Sequence, residues 1–446
     1  MRAWPAGGLW RHGDFLRLWS AETISQFGSQ VSVLALPLVA IIVLEASAFE
    51  VALLGVFEYA PFILVSLPAG VWVDRLRRKP ILVASDLGRG LALGSIPVAY
   101  ALDALTIWQL YGVGFVVGFL TVFFDVAYMS YLPSLVDRRQ LIEGNSKLEV
   151  SRSGAQIAGP GLAGGLVQAL TAPVAVLLDA VSFLVSAVFL FRIRRPESAP
   201  TRDERRAGPG MKAELKEGLR YVFGHRYLRW IAASTATFNF FGNVMYAVLL
   251  VFAVRQLDLS PGVIGAVLML GNVGYLAGAL VADRLARRLG VGPAIILGGS
   301  GSVGYLLVAL TPEASPIPFL VVGLAIVAAG VPVYNITQGS FRQAITPERL
   351  QGRMNSVMRF IVWGVIPLGA LAGGVLASLG GLRFAVAVGA VGSTLAVLPL
   401  VLSPVRTLRE MPEPGEEPSA AQAAAAGGVV PEPATPPLPA PAPSDD

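Results

Sequence analysis

Twelve apolar runs, each about as long as a helix that crosses a membrane, occupy most of the chain and leave it few ways to fold. They lie at about 17–44, 49–73, 80–102, 106–128, 147–169, 173–192, 229–254, 261–282, 291–310, 317–338, 355–377 and 383–403. Roughly 20 helical residues span a hydrocarbon core of about 30 Å. Lipid offers no partner to a backbone N–H or C=O, so such runs must close their own hydrogen bonds as helices. Only 14% of the residues are charged, against about a quarter in soluble domains, too few to cover a water-facing surface. The chain therefore reads as an all-α membrane protein. Arg2, Arg11 and Arg17 precede a first run too long for a cleavable leader. The absence of cysteine excludes disulfides and thiolate metal sites.

Twelve spans put both termini on one side. Of the 34 Lys and Arg, Arg255 and Arg383 fall on the opposite side and Arg89 lies inside a span; the remaining 31 share the side of the termini. This bias predicts cytoplasmic termini, and it accounts for the net charge of +5 without nucleic-acid binding. Four segments follow: a six-helix bundle over 1–192, a cytoplasmic linker over 193–228, a second six-helix bundle over 229–405, and a disordered acidic Pro/Ala-rich tail over 406–446. In the linker, Leu215, Leu219, Val222 and Tyr227 fall near helical spacing, which predicts a short amphipathic helix along the inner leaflet. Thirty arginines against four lysines suggest GC-rich coding and a bacterial inner membrane.

The halves repeat each other. Gly70-xxx-Asp74-Arg75-Leu76-Arg77-Arg78-Lys79, between the second and third spans, returns as Gly278-xxxx-Asp283-Arg284-Leu285-Ala286-Arg287-Arg288 between the eighth and ninth, with the aspartates 209 residues apart. Asn145-Ser146 returns as Asn355-Ser356, and Gly159 and Gly164 as Gly369 and Gly374, all shifted by 210. Parallel halves with a binding site between them near the midplane are one architecture of secondary transporters.

These motifs resemble the major facilitator superfamily over about residues 14–405. The Asp74 loop is close to that superfamily's signature, with Arg77 where glycine is usual. Ala155-xxx-Gly159-Pro160-xx-Ala163-Gly164 resembles its antiporter motif, with alanine twice replacing glycine. The stretches around Phe124-Asp125, Leu178-Asp179 and Gly352-Arg353-Met354-Asn355-Ser356 are similar to the branch that exports enterobactin, macrolides and related compounds. The resemblance implies twelve helices in two pseudo-symmetric six-helix bundles, gated by the signature loops. Asp74 at the end of the second span would dock on the positive N-terminus of the eleventh. Asp125 would partner Arg75 or Arg78, and Asp283 with Arg284 would repeat the gate in the second half. Gly114 stands where many proton-coupled drug exporters of this superfamily carry arginine.

Ionisable groups inside spans are costly and point to function. Glu22, Glu58 and Asp179 are the candidate proton carriers, while Asp86 and Arg89, three apart, are placed to neutralise each other. Gln26, Gln30, Asn239, Asn243, Tyr246, Asn335 and Gln338 are candidates to line a substrate cavity. Gly159, Pro160 and Gly164 pack and bend the fifth span. The small-residue pairs Gly161/Gly165, Gly274/Gly278 and Gly369/Gly373 are expected to form surfaces on which the halves move. His12 and His225 lie outside the spans and no P-loop or HExxH motif occurs, so no enzyme, metal or cofactor is expected. The function expected is proton-coupled export of a small amphipathic compound, by a monomer acting through alternating access. The alternatives are an uptake symporter or facilitator on the same fold, and a non-transporting sensor or scaffold.

Overall fold

The computed structural model describes residues 8–73, 76–195, 197 and 211–410. Its described residues are helical throughout, with no strand. The first half comprises α1 (Gly13–Leu38, prolonged by a π turn at Val39–Val43), α2 (Ala48–Val73), α3 (Arg78–Ala101), α4 (Ile107–Leu135), α5 (Leu141–Leu170) and α6 (Ala172–Phe191). After α7 (Met211–Gly224), the second half comprises α8 (Leu228–Arg255), α9 (Pro261–Leu289), α10 (Val291–Ser300) with α11 (Gly304–Ala309), α12 (Pro316–Ile345), α13 (Glu348–Gly380), and α14 (Leu382–Leu395) with α15 (Leu398–Val401). Among the described residues, eleven helical segments are long and apolar enough to cross a membrane. The twelfth, α5, falls short because even its uncharged stretch 153–170 carries Gln156, Gln168, Pro160 and several glycines.

Each half pairs its helices in the same pattern. Contacts α1–α5, α1–α6, α2–α4, α3–α4 and α3–α6 recur as α8–α13, α8–α14, α9–α12, α10–α12 and α11–α14. The extensive contacts between halves are α5–α9 and α2–α13. The 210-residue repeat extends to the backbone. Thr171 and Gly381, the one-residue links α5–α6 and α13–α14, both have positive φ, at 123° and 84°. Glycine adopts that conformation freely; a β-branched residue is strained in it.

Three expectations are corrected. Five helices run six or seven residues past their apolar runs, α4 to 135, α5 from 141, α9 to 289, α12 to 345 and α13 from 348. All five extensions lie at the end carrying the termini, where polar side chains replace apolar ones without breaking the helix. Second, α7 does not lie free on a lipid surface. Val222 is fully buried in a cluster with Tyr227, Phe341, Met354 and Val357, and Glu217 pairs with Arg349 at 3.1 Å and with Arg353. Third, the packed chain reaches Arg409 and not 405. Leu408 is buried, and Gly292 N donates to Leu408 O at 2.9 Å.

Candidate functional site

The repeated glycines show how the halves meet. A Cβ on Gly164 would come within 2.4 Å of Pro261 O and 2.8 Å of Gly265 Cα on α9, across the halves. A Cβ on Gly374, its repeat, would come within 2.8 Å of Ala52 Cβ and 3.1 Å of Phe49 Cα on α2, again across the halves. Gly159 and Gly369 instead face their own halves, against Gln30 on α1 and Phe240 O on α8. One glycine of each motif therefore fixes a helix in its bundle, and the other lets that helix touch the opposite bundle at backbone distance. Pro160 O lies in the α5–α9 crossing beside Gly265. Gly161 packs on Met269 across the halves, but Gly274 and Gly278 pack on α12 and Gly373 on α8, within their own half. The expectation that all three pairs form moving surfaces is corrected accordingly.

These inter-half contacts gather toward the end away from the termini. Arg255 Nη2 donates to Ala46 O at 2.7 Å, Gly262 N to Gln168 Oε1 at 2.9 Å, and Asn272 Nδ2 to Gln156 O at 2.8 Å. Deeper in, Phe62 of α2 stacks on Trp363 of α13, with ring centroids 4.4 Å apart. At the basic end the second-half signature aspartate stays within its own helix. Asp283, 70% exposed, pairs with Arg287 of its own helix at 2.5 Å, and Arg284 is exposed. Asp74 and Arg75 lie outside the described residues. Arg78 is not joined to Asp125: its backbone N and that of Lys79 donate to Glu197, at 2.8 and 3.1 Å, so a carboxylate of the linker caps α3. Asp125 is exposed and lies in the field of Arg89, Arg152 and Arg359, the last on the opposite half.

The buried acids differ in how they are held. Asp179, 1% exposed, accepts from Ser32 Oγ and from Ser182 Oγ, the latter at 3.0 Å, tying α1 to α6. Asp86 pairs with Arg89 and accepts from Ser186 Oγ at 2.6 Å; Arg89 lies between the rings of Phe124 and Phe183, at 4.3 and 4.2 Å. Both oxygens of each acid are thus occupied, one within its own helix and the other across a helix pair, α1–α6 for Asp179 and α3–α6 for Asp86. Glu22 does not. It is 7% exposed; Oε1 accepts from Gln26 Nε2 at 2.8 Å and Oε2 has no partner among the described residues. Glu58 lies where α2 crosses α4, its side chain against Gly114, and its charge is felt by Tyr59 and by Tyr246 on the opposite half.

A cavity of about 490 Å³ opens among α8, α10, α12 and α13. Asn239, Asn335 and Gln338 line it, as do Thr235, Phe238, Tyr334, Met358, Trp363 and the cations Arg342 and Arg359. Of the other candidates, Gln26 is bonded to Glu22 and Gln30 is packed on Gly159. Asn243 donates to Asn239 O at 2.8 Å, and Tyr246 lies toward Glu58; none of the four lines this cavity. Arg342 and Arg359 were missed because they were counted with the topology-setting charges, Arg342 just beyond the tenth apolar run and Arg359 near the start of the eleventh. The signal was present: Asn335, Gln338 and Arg342 share one helical face once α12 is continued to Ile345.

Comparison with known proteins decides the family. The profile of the transmembrane secretion effectors matches residues 8–426. The chain belongs to this family, a branch of the major facilitator superfamily. The chain is 28% identical over 392 residues to the multidrug efflux pump Tap of Mycolicibacterium fortuitum, covering 84% of this chain and 91% of the pump. It is 22% identical over 363 residues to macrolide efflux protein A of Streptococcus pyogenes, covering 80% and 87%. Its fold matches the crystal structure of a bacterial homologue of the iron transporter ferroportin in an inward-facing state, with a TM-score of 0.69 at 19% identity, covering 89% and 99%. The chain is therefore a multi-pass membrane transporter of the major facilitator fold, and not an enzyme.

Proposed function

We propose that this chain exports a small amphipathic compound from the cytoplasm across the plasma membrane, in exchange for protons, by rocking its two halves against each other. The observation that carries the reading is the distribution of contacts between halves. They seal the end away from the termini, while the cavity lies toward the basic end, which the charge bias assigns to the cytoplasm. A cavity loaded from that side suits an exporter, and the efflux pumps among its relatives support that direction. Glu22 and Glu58 are the coupling acids in this scheme, because Glu22 Oε2 has no partner among the described residues and Glu58 lies in the α2–α4 crossing with no ion pair among them. Asp283 and Asp74 act as gates in the opposite phase, when the basic ends close on each other and each carboxylate meets a helix N-terminus of the other half.

Proteoliposomes with an imposed pH gradient test this reading. Vesicles with an acidic lumen should accumulate compounds from an amphipathic drug panel, and collapse of the gradient should release them. Accumulation indifferent to the gradient contradicts coupling.

A further inference from the structure

We propose that the second-half wall of the cavity is a carboxylate subsite, so that the cargo is an organic acid or zwitterion with an aromatic body. The inference rests on the transporter reading only in taking this cavity as the place where cargo binds. Arg342 and Arg359 both line it, and no Asp or Glu does. Cations inside a membrane bundle require a counter-charge, since the surroundings screen them poorly. Arg342 has no ion pair among the described residues, and its Nε is buried without a partner. The acid in whose field Arg359 stands, Asp125, belongs to the opposite half. Gln338, one turn before Arg342 on the same face, is 6% exposed, and its Oε1 has no donor among the described residues. A buried amide oxygen left in this state is satisfied by a ligand that brings an N–H or O–H group.

These needs describe one kind of ligand. A carboxylate fits the planar guanidinium fork of Arg342 better than any uncharged acceptor. A neighbouring N–H serves Gln338, and an aromatic ring fits beside Phe238 and Trp363. Dansylglycine carries all three features; its methyl ester lacks the anion, and dansylsarcosine lacks the N–H. Fluorescence titration of the full-length protein in detergent should show the acid binding about ten-fold more tightly than the ester. Arg342→Gln should abolish that preference and Arg342→Lys should keep part of it. Dansylsarcosine should bind several-fold more weakly than dansylglycine, a difference lost in Gln338→Leu. A cooperative thermal transition confirms that each variant is folded. Equal binding of acid and ester, or a preference that survives in an Arg342→Gln/Arg359→Gln double variant, overturns the subsite. Binding is read without a gradient, so failure here is distinguishable from failure of coupled export.

Discussion

Asp179 and Glu22 occupy the same apolar interior, yet only one of them has somewhere to put a proton without dismantling the bundle. Both oxygens of Asp179 hold serine hydroxyls, from Ser32 on α1 and Ser182 on its own helix. Asp179→Ala should strand those donors and cost about 1–3 kcal/mol, seen as a lower thermal unfolding midpoint in detergent. Glu22→Gln and Glu58→Gln should behave in the other way. Each should fold and bind cargo, but lose gradient-driven accumulation, because an amide cannot carry the proton. Normal pumping by both variants would show that the coupling acid lies elsewhere. Strain sets a further residue apart. Thr171 holds φ at 123°, where its repeat partner is a glycine. Thr171→Gly should raise stability by about 1 kcal/mol, and Gly381→Thr should lower it, both read from unfolding midpoints.

At the level of the helix, α5 shows what was legible in the sequence and what was not. Its motif glycines were visible as a repeat, and the repeat already implied two matching bundles. Which neighbour each glycine touches was not visible, since a 210-residue offset specifies equivalence and not contact. The structure divides the labour, with Gly159 turned to α1 and Gly164 to α9. Gly164→Val and Gly374→Val should therefore disfavour the sealed outer face and slow transport, while Gly165→Val, whose Cβ meets nothing within 4 Å, should act nearly as wild type. Cysteine accessibility at the crossing, measured in a chain that has no native cysteine, checks the difference. The cavity was half legible. Asn239, Asn335 and Gln338 stood inside apolar runs, where any amide is conspicuous. Arg342 lay on the helical extension of α12, where hydropathy marks the end of the hydrocarbon and says nothing of the end of the helix, and Arg359 at the start of the eleventh run was counted with the charges of the basic end. The partners of Asp125 and Arg78 were illegible for a different reason: Glu197 reaches α3 from a linker whose path no local pattern encodes.

Across the whole molecule, two bundles with mirrored pairings meet along α5–α9 and α2–α13. Their contact is built from glycine, alanine and one stacked aromatic pair, with few polar ties. Such a surface can open without stranding many hydrogen bonds, and Asp283 at the other end is exposed and paired only with Arg287 of its own helix among the described residues. Thr171 and Gly381 close their helix links inside each half, and the proposed cycle has each bundle move as a unit. Spin labels test this most directly, placed in pairs at exposed positions: Ile142 and Arg288 at the basic end, Leu102 and Leu379 at the other. As the transport cycle is driven from one phase to the other, the first distance should shorten while the second lengthens. Distances that stay fixed at both ends, or that grow and shrink together, would contradict the rocking of two halves against each other.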